Sequence, residues 1–369
     1  MNLVLLSFAI SSVMVANMIP RILVLSLRKR LFDPIDPRKI HSVPASRLGG
    51  VSFFPAVLLS TWISVIVGCE LYPNDKSELF CIDLVLESSA LLILFLIGVY
   101  DDIIGVKYSR KFAIQVIAAI FITYSGTYFT TLNGIFGVYD IPLFIGLPLT
   151  IFFLVFVTNA INLIDGLDGL SSSLSIMALV TYGVIFYING ELTDAIVVCA
   201  MLGALMPFCY NNIYGVRRRG RCKIFMGDTG ALVVGAVLGF LAIKLWEMGA
   251  RGGFDERHHI TAVLAYSVLI IPCFDVVRIV IHRFRDHKPL FLPDKNHIHH
   301  KFLALGFTPR QSLKNILAMN TLFIIGNLSL VSYLNFSTII VIDIVVWSTI
   351  HIVITKKIAL RHKQIDNIM

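Results

Sequence analysis

Charge is scarce in this chain. Asp, Glu, Lys and Arg together make up 15% of its 369 residues, against about 25% in a typical soluble domain. That shortage leaves no room for a large water-soluble domain, and 57% hydrophobic residues with a mean hydropathy of +0.82 place the chain in a bilayer. The six cysteines, Cys69, Cys81, Cys199, Cys209, Cys222 and Cys273, show no CxxC spacing. Thiolate metal frameworks are thereby excluded, and most of these side chains read as packing residues in or beside apolar segments. Only Cys69 and Cys81 fall where an oxidising side would permit a disulfide. The apolar start, Met1 to Leu27, lacks a basic n-region and a small-residue cleavage signal, so it reads as a retained first span and not a signal peptide. No internal repeat is visible either. Secondary transporters are commonly built from inverted repeats with sites at the midplane, which counts against that class.

What is there is a succession of apolar stretches, each near the roughly 20 residues that cross a hydrocarbon core of about 30 Å. They predict spans near 2–25, 48–68, 85–100, 111–130, 143–161, 170–188, 193–211, 228–247, 261–281, 313–331 and 337–355. The expected fold is an all-α, polytopic membrane helical bundle of about eleven transmembrane helices, forming a single domain over residues 1–369. Residues Tyr124 to Asp140, rich in Thr, Gly and Tyr, suit a short hairpin or re-entrant piece, although a plain outer loop is simpler. Of the 31 Lys and Arg residues, all but Lys76, Lys244, Arg251 and Arg257 fall on one side of this arrangement. Basic loops mark the cytoplasmic side, so the N-terminus is expected outside and the C-terminus inside. The same rule accounts for the net charge of +8 without any nucleic-acid partner. The inner loops then lie near 28–47, 101–110, 162–169, 212–227 and 282–312.

Carboxylates beside a bilayer cost several kcal/mol unless paired, hydrated or functional, and here they cluster on that inner side. Asp101 and Asp102 close the third span. Asn162, Asp165 and Asp168 lie in Asn159-Ala-Ile-Asn-Leu-Ile-Asp-Gly-Leu-Asp-Gly169, and Asp228 lies in Phe225-Met-Gly-Asp-Thr-Gly230. Spacing of i, i+3 and i+6 at a helical end lines Asn162, Asp165 and Asp168 along one face. Gly166 and Gly169 can break that helix and admit a ligand close to backbone. Hard oxygen ligands suit Mg²⁺, which takes one or two carboxylates and fills its shell with water and substrate phosphates. Each motif has a plainer alternative: an aspartate pair caps a helix, and Gly-Asp-Thr-Gly can begin the eighth helix with Asp228 as its N-cap. Three such motifs on one face favour a site.

The last inner loop adds His297, His299 and His300 beside Asp294 and Lys295. Without cysteine partners these imidazoles favour phosphate oxygens over zinc. In the first inner loop, Lys39 and Arg47 precede the glycine pair Gly49-Gly50 that opens a helix, and cations with helix-start amides make an anion site. The run Arg217-Arg218-Arg219-Gly220-Arg221 reads as topological charge with some attraction to anionic lipid.

Taken in order, Asp101-Asp102, Asn162-Leu-Ile-Asp-Gly-Leu-Asp-Gly-Leu170, Met226-Gly-Asp-Thr-Gly230 and His297-Ile-His-His300 resemble the polyprenyl-phosphate N-acetylhexosamine-1-phosphate transferase family, over roughly residues 36–310. The His-Ile-His-His form and Pro37-Arg-Lys-Ile-His41 look like the branch that starts O-antigen, common-antigen, teichoic-acid or capsule glycans. The peptidoglycan branch, which transfers phospho-N-acetylmuramoyl-pentapeptide, carries three consecutive histidines. Ala231 departs from the family's Gly-Asp-Thr-Gly-Ser, and the arginine run before Lys223 is an insertion.

The resemblance implies an inner-membrane enzyme that moves N-acetylhexosamine 1-phosphate from a UDP-sugar, expected to be UDP-GlcNAc, to undecaprenyl phosphate and releases UMP. Mg²⁺ is the expected cofactor with Mn²⁺ as the alternative, membrane lipid surrounds the protein, and a homodimer is one option. In this reading Asp101 deprotonates or positions the lipid phosphate, and Asp102 shapes the local charge. Asp228 holds the metal, with Asp165 and Asp168 assisting or touching the nucleotide sugar. Asn162 hydrogen-bonds substrate, His297, His299 and His300 bind the diphosphate, and Lys39 and Arg47 complete the phosphate-site candidates.

Overall fold

The computed structural model describes residues 3–29, 31, 45–71, 82–215, 223–251, 256–287 and 296–366. Lys39, the arginine run, Asp294, Lys295 and one partner of the expected Cys69–Cys81 disulfide lie outside these residues. The described chain is helical almost throughout. In order it forms α1 (Leu3–Lys29), β1 (Ala45–Ser46), a 3₁₀ turn (Leu48–Ser52), α2 (Phe53–Leu71), α3 (Ile82–Ile104), α4 (Tyr108–Tyr124), β2 (Thr131–Ile135) and β3 (Val138–Asp140). There follow α5 (Leu143–Ile164), α6 (Leu170–Ile188), α7 (Leu192–Tyr214), β4 (Lys223–Ile224), α8 (Gly227–Arg251), α9 (Glu256–Ser267), α10 (Ile270–Arg285), α11 (Ile298–Ala304), α12 (Pro309–Leu330) and α13 (Phe336–Asp366).

Among the described residues, nine helices are long and apolar enough to cross a membrane, and the bent pair Ile260–Ser267 and Ile270–Arg285, kinked by 57°, makes a tenth candidate. Of the eleven expected stretches, the one near 111–130 forms α4, only 17 residues long. Its shortness has a local cause: Gly126 takes a positive φ of 89° and Ser125 closes the helix. The Thr- and Gly-rich stretch that follows becomes the antiparallel hairpin β2–β3, with Gly134 and Gly137 at φ 80° and 78°, a conformation open to glycine. Large apolar side chains such as Leu5, Ile66, Leu96 and Phe152 stand exposed on the helices, as a lipid-facing surface requires.

The chain divides into two compact units. The first comprises residues 1–129 and 143–245, the second residues 130–142 and 246–369. Within the first, α8 is the core helix, with every residue from Ala231 to Val234 and from Ala236 to Leu238 buried. Small residues let neighbouring backbones touch it. A Cβ at Gly98 of α3 would strike the Thr229 backbone, and one at Gly50 would strike Gly230. One charged cluster ties the bundle at the far end of α8, where Lys244 donates to Glu87 of α3 and Asp194 of α7, each at 2.7 Å. Paired in this way, charges are tolerated inside a membrane span.

In the second unit the hairpin is fastened to α8's last turns. Asn133 donates to the Trp246 carbonyl at 3.1 Å, and the Trp246 indole donates to the Thr131 carbonyl at 2.8 Å. Helix α12 begins with a capping box between Thr308 and Gln311 and Pro309 in its first turn, a start signal worth about 1 kcal/mol.

Candidate active site

Close contact of Gly98 with Thr229 puts the C-terminal end of α3 against the N-terminal end of α8. Asp102 uses that contact: its carboxylate accepts the backbone amides of Asp228 at 2.8 Å and Thr229 at 2.9 Å, and the Thr229 hydroxyl at 2.6 Å. A helix start leaves amides unpaired and carries partial positive charge, so a carboxylate supplied from another helix caps it well. Asp228 is therefore not the N-cap of α8; it lies inside the first turn and is free to point elsewhere. A side chain at Gly227, which has φ 68°, would run into the Arg47 carbonyl and the Asp102 carboxylate.

Asp101 faces the other way. Its carboxylate accepts the Val106 amide at 2.6 Å and the ammonium of Lys111 at 2.9 Å. The same ammonium reaches Asp228, so Lys111, on the first turn of α4, joins two aspartates 127 positions apart. The pairing Asp101 with Asp228 is thus mediated by a cation. Asn162 on α5 donates to the Asp228 carboxylate at 2.6 Å. One turn back, Asn159 and Gln115 exchange amide hydrogen bonds at 2.6 and 3.3 Å, joining α5 to α4.

The expected helical ladder of Asn162, Asp165 and Asp168 does not form. Helix α5 ends at Ile164, and residues 165–169 make turns before α6 begins. At the far end of these turns Gly169 sits at φ 80°, a conformation open to a residue without Cβ, and caps the start of α6. Asn162 therefore projects from the helix, while Asp165 and Asp168 project from a loop. Asp168 pairs with Lys223. The Asp165 carboxylate has no hydrogen-bond partner among the described residues. Burial, followed by the negative charges of Asp168, Asp228 and Asp102, pushes its acid up to about 7.

The loops are held by contacts that span the chain. Ala45–Ser46 pairs in parallel with Lys223–Ile224, and the Gly49 and Gly50 amides donate to Phe225 and Met226 carbonyls at 3.0 and 2.9 Å. This brings the Arg47 charge near enough to act on Asp228. Asn212, buried on α7, accepts the Gly169 amide at 2.5 Å and donates to the Ile224 carbonyl at 2.8 Å. It clamps the Asp165–Asp168 loop to the strand that leads into Asp228. Lys111, Lys223 and Asn212 are the members of this site that motif reading missed, and Thr229, quoted within the Met226–Gly230 motif, was given no role there. Of the three missed, Lys111 and Lys223 carried a signal, as cations near acidic motifs.

In the second unit, Asp275 on α10 organises the histidines. It is fully buried, receives Arg278 at 2.9 Å and the Ile298 amide at 3.1 Å, and meets His297 Nδ1 at 2.8 Å. A carboxylate at Nδ1 fixes the orientation of the imidazole. His297 and His299 stack at 5.7 Å, and His299 and His300 lie 4.2 Å apart. His299 is 1% exposed. Burial, then His300 and His297, lower its pKa to about 3, so the ring is neutral.

Asp101, Asp102, Asn162, Asp165, Asp168, Asp228 and Lys111 lie at the same end of a bundle of apolar helices, which defines a multi-pass membrane enzyme with a carboxylate-lined site. The comparisons with known proteins narrow the class. Residues 84–246 match the sequence model of glycosyl transferase family 4. A Yersinia pestis protein named undecaprenyl-phosphate alpha-N-acetylglucosaminyl 1-phosphate transferase is 30% identical over 299 residues, covering 80% of this chain and 76% of that one. Its namesake in Escherichia coli (strain K12) is 29% identical, covering 76% and 71%. A Bacillus subtilis (strain 168) protein named probable undecaprenyl-phosphate N-acetylglucosaminyl 1-phosphate transferase is 27% identical over 330 residues, covering 89% and 85%. The chain belongs to glycosyl transferase family 4.

Proposed function

We propose that this protein transfers N-acetylglucosamine 1-phosphate from UDP-GlcNAc to undecaprenyl phosphate, releasing UMP and starting a lipid-linked cell-surface glycan. The names of its relatives support the substrates. The observation that carries the chemistry is the joining of Asp101 and Asp228 by Lys111, with Asn162 on Asp228 and an unpartnered Asp165 nearby. An oxygen of the lipid phosphate attacks the sugar-linked phosphorus, and the bond from that phosphorus to the UMP oxygen breaks. Little covalent chemistry falls to the protein in such a transfer; positioning and charge stabilisation dominate.

The roles follow from the contacts. Lys111 and Arg47 supply positive charge toward the diphosphate. Asp102 is occupied by three donors, and its role is to position the start of α8. Asp165, with its acid near 7, is suited to accept the proton of a monoprotonated lipid phosphate, whose second pKa is about 6. That assigns the base role to Asp165 ahead of Asp101, whose oxygens are engaged. Asp168 is held by Lys223 at the loop that would contact the nucleotide sugar. Within the second unit Asp275 fixes His297, and His297 and His300 are the diphosphate candidates that the family resemblance implies, His299 being buried beside them.

The residues present fit a divalent cation. Asp101 and Asp228 already share one cationic group, and their oxygens are the hard donors that Mg²⁺ prefers. Among the described residues no three Asp, Glu, His or Cys side chains are grouped to hold a metal by themselves. An Mg²⁺ ion takes one or two carboxylates and completes its shell with water and substrate phosphates. Asp228, with Asp168 as second candidate, would hold Mg²⁺, Mn²⁺ being the alternative. When bound, the ion neutralises developing charge on the phosphoryl oxygens. The basic-loop bias supports a site facing the cytoplasm, with the N-terminus outside.

The test is UMP release by the purified full-length protein given undecaprenyl phosphate and UDP-GlcNAc. Release should require both substrates and vanish in Asp228→Asn while insertion and helix content stay unchanged. Near-normal turnover by that variant overturns the assignment of Asp228.

A further inference from the structure

In the second unit, the hairpin β2–β3 carries its largest exposed side chain where the backbone least favours one. The Gly137 amide donates to the Gly134 carbonyl at 3.0 Å, closing a turn whose third residue, Phe136, has φ 50°. Positive φ at that position suits Gly or Asn, and a bulky residue there is an outlier. The ring gives the fold little in return, since Phe136 is 78% exposed. Beside it, β3 is exposed along its whole length, with Val138 and Tyr139 both open. Tyr333, in the turn that leads into α13, is exposed as well. An outlier of this kind points to a contact outside the chain.

Three contacts set the level of this surface. The Phe136 amide donates to the Ser337 hydroxyl at 2.7 Å, and Ser337 is the second residue of α13, which is apolar enough to span a membrane from Phe336 onward. On the other strand, the Thr131 carbonyl accepts the Trp246 indole at 2.8 Å, in the last turn of the apolar stretch of α8 that ends at Gly249. The Trp246 and Phe336 rings pack at 5.2 Å. One span therefore ends where the other begins, and the hairpin is bonded to both at that level. The hydrocarbon core stops where its spans stop.

We infer that Phe136, Val138 and Tyr139 of the hairpin, with Tyr333, form a docking surface for the bilayer interface, the layer of phospholipid headgroups and first acyl carbons. Aromatic rings concentrate at that depth. The backbone limits how far they enter. Among the described residues β3 pairs with β2 alone, which leaves amides and carbonyls on its outer edge that headgroups and water satisfy but hydrocarbon does not. Asp140, exposed at the end of β3, adds a charge that hydrocarbon would also reject. On the side of α13 that carries Ser337, Val341 and Val345 are exposed one and two turns further along, so the apolar surface continues from the hairpin down the span. One occupant, phospholipid, covers both. The inference makes no use of the reaction proposed above.

Photocrosslinking of the wild-type, full-length protein in phosphatidylcholine liposomes tests it. Two phosphatidylcholine probes are compared, one with a diazirine on the first carbons of an acyl chain and one with it at the chain end, and peptide mass spectrometry locates the adducts. Val345, about 12 Å further along α13 than Ser337, is the internal reference. Residues 136–139 should be labelled several-fold more by the first probe than by the second, and Val345 more by the second. In Phe136→Ser, hairpin labelling should fall several-fold while Val345 labelling is unchanged. A hairpin left unlabelled by both probes while Val345 is labelled, as one standing in water or covered by another protein would be, overturns the inference. Hairpin labelling that favours the chain-end probe overturns it too, and both comparisons stand on the wild type even if the variant fails to fold.

Discussion

Asp102 accepts both the backbone amide and the hydroxyl of Thr229, at 2.9 and 2.6 Å. A carboxylate in this position shapes the start of α8 and so the direction in which Asp228 points. Asp102→Asn keeps the size but turns an NH₂ group toward amide donors, which should destabilise the protein by about 1–3 kcal/mol. Thr229→Val removes one bond and should cost about 0.5–1.5 kcal/mol. Thermal unfolding in detergent measures both. Were Asp102 the base, Asp102→Asn would stop turnover with an unchanged unfolding midpoint.

Lys111 stands between Asp101 and Asp228. Lys111→Met leaves two carboxylates facing without their shared cation, and should lower kcat by about 10²–10³, the size expected for one preorganised charge contact. Lys111→Arg should retain much more. Steady-state kinetics at saturating substrates, with a Mg²⁺ titration for each variant, separates lost charge from lost cation binding.

Asp165 sets the pH dependence. Its acid is raised to about 7 by burial and by Asp168, Asp228 and Asp102. Turnover that requires its ionised form should rise as pH climbs through about 7, and Asp165→Asn should lose that limb together with most activity. Stability runs the other way. The folded state binds this proton more tightly than the unfolded chain, so stability from this group is lost as pH rises from about 4 toward 7. Asp165→Asn should therefore melt higher than wild type at pH 8 and level with it near pH 4.

Asn212 holds the Gly169 amide and the Ile224 carbonyl together. Asn212→Ala strands both and should destabilise by about 1–3 kcal/mol. Because it moves the Asp165 loop relative to Asp228, kcat should fall more than KM rises. An unchanged kcat in a destabilised variant would make Asn212 a packing residue alone.

Much of this was legible in the residues. Long apolar runs gave the helices their places, because hydropathy and bilayer thickness leave few other choices. The acidic motifs stood out since charge is rare in such a chain. What could not be read was partnership. Thr229 lies 127 positions from Asp102, and Asn212 and Asp275 sit inside apolar helices where a single polar residue resembles ordinary packing. Lys111 was one more basic residue near a membrane surface until α4 folded against α8. The ladder at Asn162, Asp165 and Asp168 failed because α5 ends at Ile164, ahead of both aspartates.

The most direct test of the central claim is the mass of the lipid product. Purified protein would be given undecaprenyl phosphate, Mg²⁺ and, in separate reactions, UDP-GlcNAc, UDP-GalNAc and UDP-N-acetylmuramoyl-pentapeptide. The account predicts undecaprenyl-diphospho-N-acetylglucosamine with stoichiometric UMP from UDP-GlcNAc. A lipid product from the muramoyl-pentapeptide donor alone, or no lipid product from any donor, would contradict it.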